Sequence, residues 1–369
     1  MTDPISRASP LRFEPRFEIP EKGESETIAG IIEATRKIAE KVAEDEGHAF
    51  RSVHAKSHGI VIAELEVLPG LSPELAQGLF ATPAKYPAAI RLSTTPGDLL
   101  PDKVSTPRAL ALKVAGVIGA RAPGSESDST QDFVLVNGPV FAASSAGKFL
   151  GSLKLLGATT DRMPHTKNVL SAVLRGAEAL LEKTGHESAT FKSLGGHPAT
   201  HILGETFFSQ VPMLYGAYIA KVSLVPVSAT LISHVDEPVE LQGHDNALRE
   251  AVAKHFATLG AEWELRVQLC TNLERMPIED SSVEWPQEES PYLPVARLRA
   301  DKQDTWHARR VAAVDDGMSF SPWHALAAHR PLGSIMRVRK SVYAAAAEFR
   351  ARRNGRTISE PTHLPTLAD

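Results

Sequence analysis

The sequence predicts an α+β fold, an antiparallel β-barrel with helical insertions and a long helix close to the C-terminus. Three observations carry this reading. Apolar runs of strand length recur between Gly and Pro residues, helical periodicity interrupts them, and the order is strand–strand–helix–strand–strand instead of alternating βα units.

Residues 1–24 are rich in Pro, Glu and Arg without a period, and read as an arm on a surface or a partner subunit. Between Ser25 and Glu46, Ile28, Ile31, Ile32, Ile38 and Val42 fall at helical spacing and Gly47 stops the run. Strand-like runs follow at 59–68, 88–93, 108–115 and 132–137. Helical stretches at 143–156 and 166–183 precede further strand-like runs at 201–209, 216–225, 228–235 and 263–272. The stretch 273–335 is rich in proline, holds Trp285, Trp306 and Trp323, and shows little periodicity, so it is expected to lie over the core as a long irregular segment. A helix over 334–353 and a loosely held polar tail, 354–369, complete the chain. The predicted organisation is therefore an arm (1–24), one domain (25–353) and a tail (354–369).

Composition excludes several function classes. Forty basic against 44 acidic side chains leave a formal charge of −4, so no positive field draws nucleic acid or an anionic membrane. The single cysteine, Cys270, rules out an intrachain disulfide and a Cys-rich zinc or iron–sulfur site. No apolar leader or membrane-length apolar run is present, which makes a cytoplasmic location the expectation. There is no nucleophile elbow, Walker loop or dinucleotide turn, and His54 and His58 lack the glutamate of a zinc-protease motif.

Three segments carry candidate chemistry. The first is Arg51-Ser52-Val53-His54-Ala55-Lys56 ahead of a strand, followed by Arg91-Leu92-Ser93-Thr94 ending another. The second is the apolar run Phe133 to Val136 leading into Asn137-Gly138-Pro139-Val140-Phe141. The third is Arg339-Lys340-Ser341-Val342-Tyr343 on the last helix, with Arg350 seven residues on. Each is common alone; alone, the third reads as a basic surface helix. In series they resemble the catalase family over about residues 45–145 and 320–352, which implies a catalase-type barrel with a C-terminal haem-ligand helix.

That resemblance implies haem, of the b type, with iron held by the Tyr343 phenolate. Arg339, one turn earlier on the same helix face, would stabilise the phenolate; Arg51 and Arg91 would pair with the haem propionates, and Arg350 would meet a propionate or the phenolate's surroundings. His54 would be the peroxide-handling base and Asn137 its polar companion, with Ser93 hydrogen-bonded to the histidine. Val53 and Phe141 would form apolar walls, while Lys56 and His58 are left as surface residues. The pattern also departs from the family. Ser57 replaces a usual glycine, Val136 the first of two asparagines, Thr95 a valine and Ala142 a phenylalanine.

The chain is shorter than typical catalases, with a reduced arm and wrapping segment, which is expected to open the haem edge to organic donors. The implied activity is therefore a haem peroxidase that reduces hydrogen peroxide or an organic hydroperoxide with a small organic electron donor, with weaker catalase activity. Two readings stand beside it: a fatty-acid hydroperoxide isomerase of allene oxide synthase type, against which Val53 argues, and a haem-binding or sensing protein without turnover. A homodimer is the preferred assembly.

Overall fold

The computed structural model describes residues 9–104, 106–160, 199–241 and 243–366, without the side chains of 155–160. Strands β1 (Lys56–Val67), β2 (Lys85–Thr94), β3 (Arg108–Ala115) and β4 (Thr130–Val136) form an antiparallel meander. The short β5 (Phe207–Phe208) follows, then β6 (Met213–Tyr215), β7 (Tyr218–Pro226), β8 (Ala261–Leu269) and β9 (Leu293–Ala300). β9 pairs with β1, while β5 pairs with both β4 and β7, so the sheet closes into an eight-stranded antiparallel barrel. β6 takes the other half of the β7 edge that β5 uses.

Alternation along the strands decides what fills the barrel. Val61, Leu65, Ile90, Leu92, Leu110, Leu112, Phe133, Leu135, Val222 and Trp263 point inward and form the main core. The opposite parity of β1 to β4 presents Ile60, Ala111 and Val134 on the outside, where Val314, Met318 and Phe320 cover them. That covered outer face is where Arg91 and Ser93 lie and where Arg51 reaches Asp315.

Among the described residues, four helices of ten residues or more dress the barrel: α1 (Glu24–Glu46), α2 (Ala146–Thr160), α3 (Ala247–Phe256) and α4 (Ser334–Asn354). Ile31 of α1, Leu150 of α2 and Ile335, Met336 and Val338 of α4 share a second core. The helix predicted over 166–183 lies outside the described residues.

Several expectations are corrected. Residues 228–235 form a one-turn helix, Ala229–Ile232, not a strand. The Ser228 hydroxyl meets Thr230 at 3.0 Å and accepts from Glu262 N at 3.2 Å, which turns the chain, and only Leu231 of that turn is buried. The irregular stretch 273–335 contains β9. Its Pro294 sits opposite Arg266 at a register shift, where a missing N–H costs no regular ladder bond. The described part of the N-terminal arm, from residue 9, lies on its own chain, bridging Arg12 to Tyr218. The C-terminal tail is pinned, not loose: Glu360 meets Lys113 and His324, and Ser359 N donates to Gly317 O at 3.3 Å.

Candidate active site

The segment 48–55 between α1 and β1 is fixed from both ends. Asn354, at the end of α4, donates to Ala49 O and accepts from Ala49 N, each at 2.9 Å. Ala55 N donates to Pro96 O at 2.9 Å, and Gly97 lies so close that a Cβ there would come within 2.2 Å of Ser52 O. Held this way, His54 adopts a left-handed backbone, φ 56°, which a non-glycine residue takes only under constraint. Its Nδ1 is buried with no hydrogen-bond partner among the described residues. Burial first, then the charges of Arg91 and Arg339, push its pKa down to about 3, so the imidazole is neutral at physiological pH.

Beside His54, three guanidinium groups converge on Asp315, two on its carboxylate and one on its backbone carbonyl. Arg51 meets Asp315 at 2.7 Å and also donates to Val314 O and Met318 O at 3.2 Å. Arg91 joins the same Asp315 oxygen and donates to His54 O and Ala55 O at 3.1 Å. Arg350, from α4, donates to Asp315 O and to Met318 O at 2.6 and 3.0 Å. Burial, together with Arg91 and Arg350, pushes Arg51 well below the ordinary guanidinium value. Burial works to raise Asp315, but Arg91 and Arg51 outweigh it and hold the carboxyl below its usual value. Three buried cations thus face one anion, with the second acid of the pair, Asp316, turned to His48 at 3.0 Å.

Helix α4 forms the other wall. Arg339 lies over the Phe141 ring, 5.5 Å from its centroid, and Tyr343 follows at i+4, half-buried. Ala344, Ala345, Ala346 and Ala347 leave the next turn without bulk. The structure brings His54, Arg51, Arg91, Arg350, Arg339 and Phe141 to one region, with Tyr343 on the same helix. Val53 is 47% exposed at its rim.

Asn137 does not join this group. Ser93 pairs with Ala109 and Ala109 with Val136, so these three share the outer face, in the row next to Arg91, Ala111 and Val134. Asn137 is one residue further and has the opposite parity. Its amide donates to Glu205 and accepts from Arg108 N at 3.0 Å. Ser93 is buried on the outer face, but the expected Ser93–His54 hydrogen bond is not formed, because Nδ1 of His54 has no partner. Lys56 and His58 are buried, not exposed. β1 starts at Lys56, and Lys56 meets Asp102 at 2.6 Å while His58 meets Thr94 at 2.9 Å.

Motif reading missed Asp315 and the Met318–Phe320 cover; the adjacent acids Asp315 and Asp316 in an apolar helical run were the available signal. It also missed a buried charge cluster. Donor atoms of Asp132, His324 and Glu360 lie within 4.8 Å of one another, a spacing that suits a cation. The Lys113 ammonium already fills that role, 2.8 Å from both Asp132 oxygens and in contact with Glu360. Burial lowers His324, but Asp132 and Glu360 outweigh it and raise its pKa to about 9.

The fold is that of the catalases. The chain superposes on catalase A from Saccharomyces cerevisiae with TM-score 0.56 and 17% identity, over 84% of this chain and 62% of that one. A fungal catalase and a bacterial catalase match with the same TM-score and identity, over 85% and 86% of this chain and 61% and 60% of theirs. The chain thus spans about three fifths of the length of these catalases. No protein-family profile matches the sequence, and no curated protein matches it. At this identity the likeness establishes architecture alone. Among the described residues no helix is long and apolar enough to cross a membrane.

Proposed function

We propose that the protein is a haem-dependent peroxidase that reduces hydrogen peroxide or an organic hydroperoxide with an organic electron donor, with weaker catalase activity. The observation that carries this reading is the buried excess of guanidinium charge at Arg51, Arg91 and Arg350 beside the unpartnered Nδ1 of His54. Two carboxylates would neutralise that excess, and haem b carries two propionates. The residues present fit such a group. Tyr343 would ligate the iron and Arg339 would favour its phenolate, while Val53 and Phe141 would line the pocket.

Haem iron, when bound, supplies an acceptor for the peroxide oxygen and a store for two oxidising equivalents. The chain contributes proton handling and positioning. His54, neutral above about pH 3, takes a proton from one peroxide oxygen and returns it to the other, so that water or an alcohol leaves. Its low basicity follows from burial first and then from Arg91 and Arg339, which also keep the imidazole from being trapped as a cation. The outer-face row carries Val136, not an amide, so a second donor to the peroxide is missing there. That loss, with the exposed Val53 rim, favours oxidation of a donor over rapid disproportionation.

The test is an absorption titration of the protein with haem, followed by turnover of peroxide with a phenolic donor. A phenolate-ligated ferric spectrum and donor oxidation are expected. Absence of haem uptake overturns the reading, and so does fast oxygen release with no donor oxidised.

A further inference from the structure

The geometry points to a binding groove for the electron donor, an aromatic anion, between the segment 309–318 and the C-terminal tail. This rests on the peroxidase reading and names the donor class. The groove has a volume of about 430 Å³, within the range of small-molecule sites. Ala313, Met318, Leu364 and Pro365 give it apolar walls, and Arg309 and His363 stand on it as polar groups. Among the described residues its lining carries two arginines and a histidine and no carboxylate. An apolar ring with one negative charge is the complementary ligand, the ring on the walls and the anion at Arg309.

Two features make this more than a surface dent. The tail that forms one wall is anchored in the buried cluster, where Glu360 meets Lys113 and His324 and accepts from Thr130 Oγ1 at 2.5 Å. Met318 also belongs to both places. It lines the groove, and its carbonyl accepts from Arg51 and Arg350, the arginines assigned to the haem propionates. A donor seated here is separated from those arginines by one residue, Met318. Two phenol donors would each give up one electron and the hydroxyl proton, becoming phenoxyl radicals. One hydrogen peroxide would take both electrons and both protons and leave as two waters.

The probes are 4-hydroxyphenylacetate and its uncharged amide, 4-hydroxyphenylacetamide, titrated calorimetrically into the full chain with and without haem. The carboxylate should bind more tightly than the amide and lose affinity as salt rises. Arg309→Gln should weaken the carboxylate about fivefold, the scale of an exposed ion pair, and leave the amide unchanged. The same factor should appear in donor KM with kcat preserved, while Lys302→Gln, an exposed cation outside the groove, changes neither. Equal binding of the two probes, or an Arg309→Gln variant that binds the carboxylate like the parent, overturns the inference. A haem-loaded protein that oxidises only the uncharged phenol overturns it while sparing the peroxidase reading. Failure of every donor with haem bound defeats that reading instead, and the calorimetry still reports on the groove.

Discussion

A left-handed histidine whose buried Nδ1 has no partner is costly, and its surroundings hold it so at the expense of several bonds to the backbone. His54→Ala is therefore expected to abolish peroxide turnover while haem remains bound; equal turnover would remove His54 from the mechanism. Since its pKa lies near 3, the acid limb of activity assigned to this base should fall below pH 5, not near 6.5. A pH–rate profile of kcat/KM checks this. Val136 and Asn137 allow a sharper test. Asn137→Ala should cost about 1–3 kcal/mol of stability, because Glu205 loses a buried donor, yet leave turnover per bound haem intact. Val136→Asn, placed in the row with Ser93, should raise the ratio of oxygen release to donor oxidation. Motif spacing pointed to His54, the three arginines, Arg339 and Tyr343, because the chemistry proposed for each depends on residue type. It misassigned Asn137 because strand parity at the end of β4, which decides the face, is not written in spacing. It misplaced Lys56 and His58 because the strand starts earlier than its apolar run, and the polar start is covered by Arg249 and its helix α3.

At the scale of elements, the helix carrying Tyr343 is positioned from its opposite side. Arg337 of α4 meets Glu24 of α1 at 2.8 Å, Glu279 at 3.0 Å and Glu18 of the arm at 3.2 Å. Gly333 starts the helix at φ 85°, where a Cβ would lie 2.4 Å from Ile278 O. Burial works against the Arg337 charge, but Glu24 and Glu279 outweigh it and raise its pKa. Arg337→Gln would leave three carboxylates without their shared cation, and is expected to cost about 1–3 kcal/mol and to broaden the haem absorption band through a loosened helix. Denaturation midpoints and spectra of parent and variant, compared at equal haem loading, measure both; an unchanged midpoint would deny Arg337 this role. Helices α1 and α4 were legible because Gly47 and Gly355 end strong amphipathic or basic runs. β9 was not, because Pro291 and Pro294 imitate a loop and only the register shift against β8 shows how a proline enters an internal strand. The stretch 228–235 misled in the other direction, since Thr230, Ile232 and Val235 have strand propensity but the Ser228 hydroxyl ties the start of a helical turn to Thr230 and to Glu262 of β8.

For the molecule as a whole, two sets of histidines oppose each other in their response to pH. His54, His201 and His329 are held neutral by burial, with pKa values of about 3, 4 and 4, against about 6.5 unfolded. Below pH 6.5 the unfolded chain binds more protons than the folded one, so stability falls with falling pH, by up to ~1.4 kcal/mol per pH unit for each such group. His324 has the reverse sign. With a folded pKa of about 9, its contribution is complete below about pH 6.5 and is lost as pH rises through 9. Glu360, lowered to about 2 by His324 and Lys113 despite burial, contributes fully above about pH 4.5 and loses that contribution as pH falls from there to about 2, so the tail clasp opens first on the alkaline side. Urea midpoints should accordingly peak near pH 6.5, decline gently as pH rises towards 9 and fall steeply on the acid side. His324→Asn should flatten the alkaline limb and leave the acid limb in place. It should also release the tail to limited proteolysis, as Glu360→Gln should. This coupling was invisible in sequence, because Lys113, Asp132, His324 and Glu360 are brought together only by barrel closure and by a tail that read as loose. Equal midpoints at pH 5 and 7.5 would show that the buried histidines take up protons without unfolding, and would contradict the burial assigned to them.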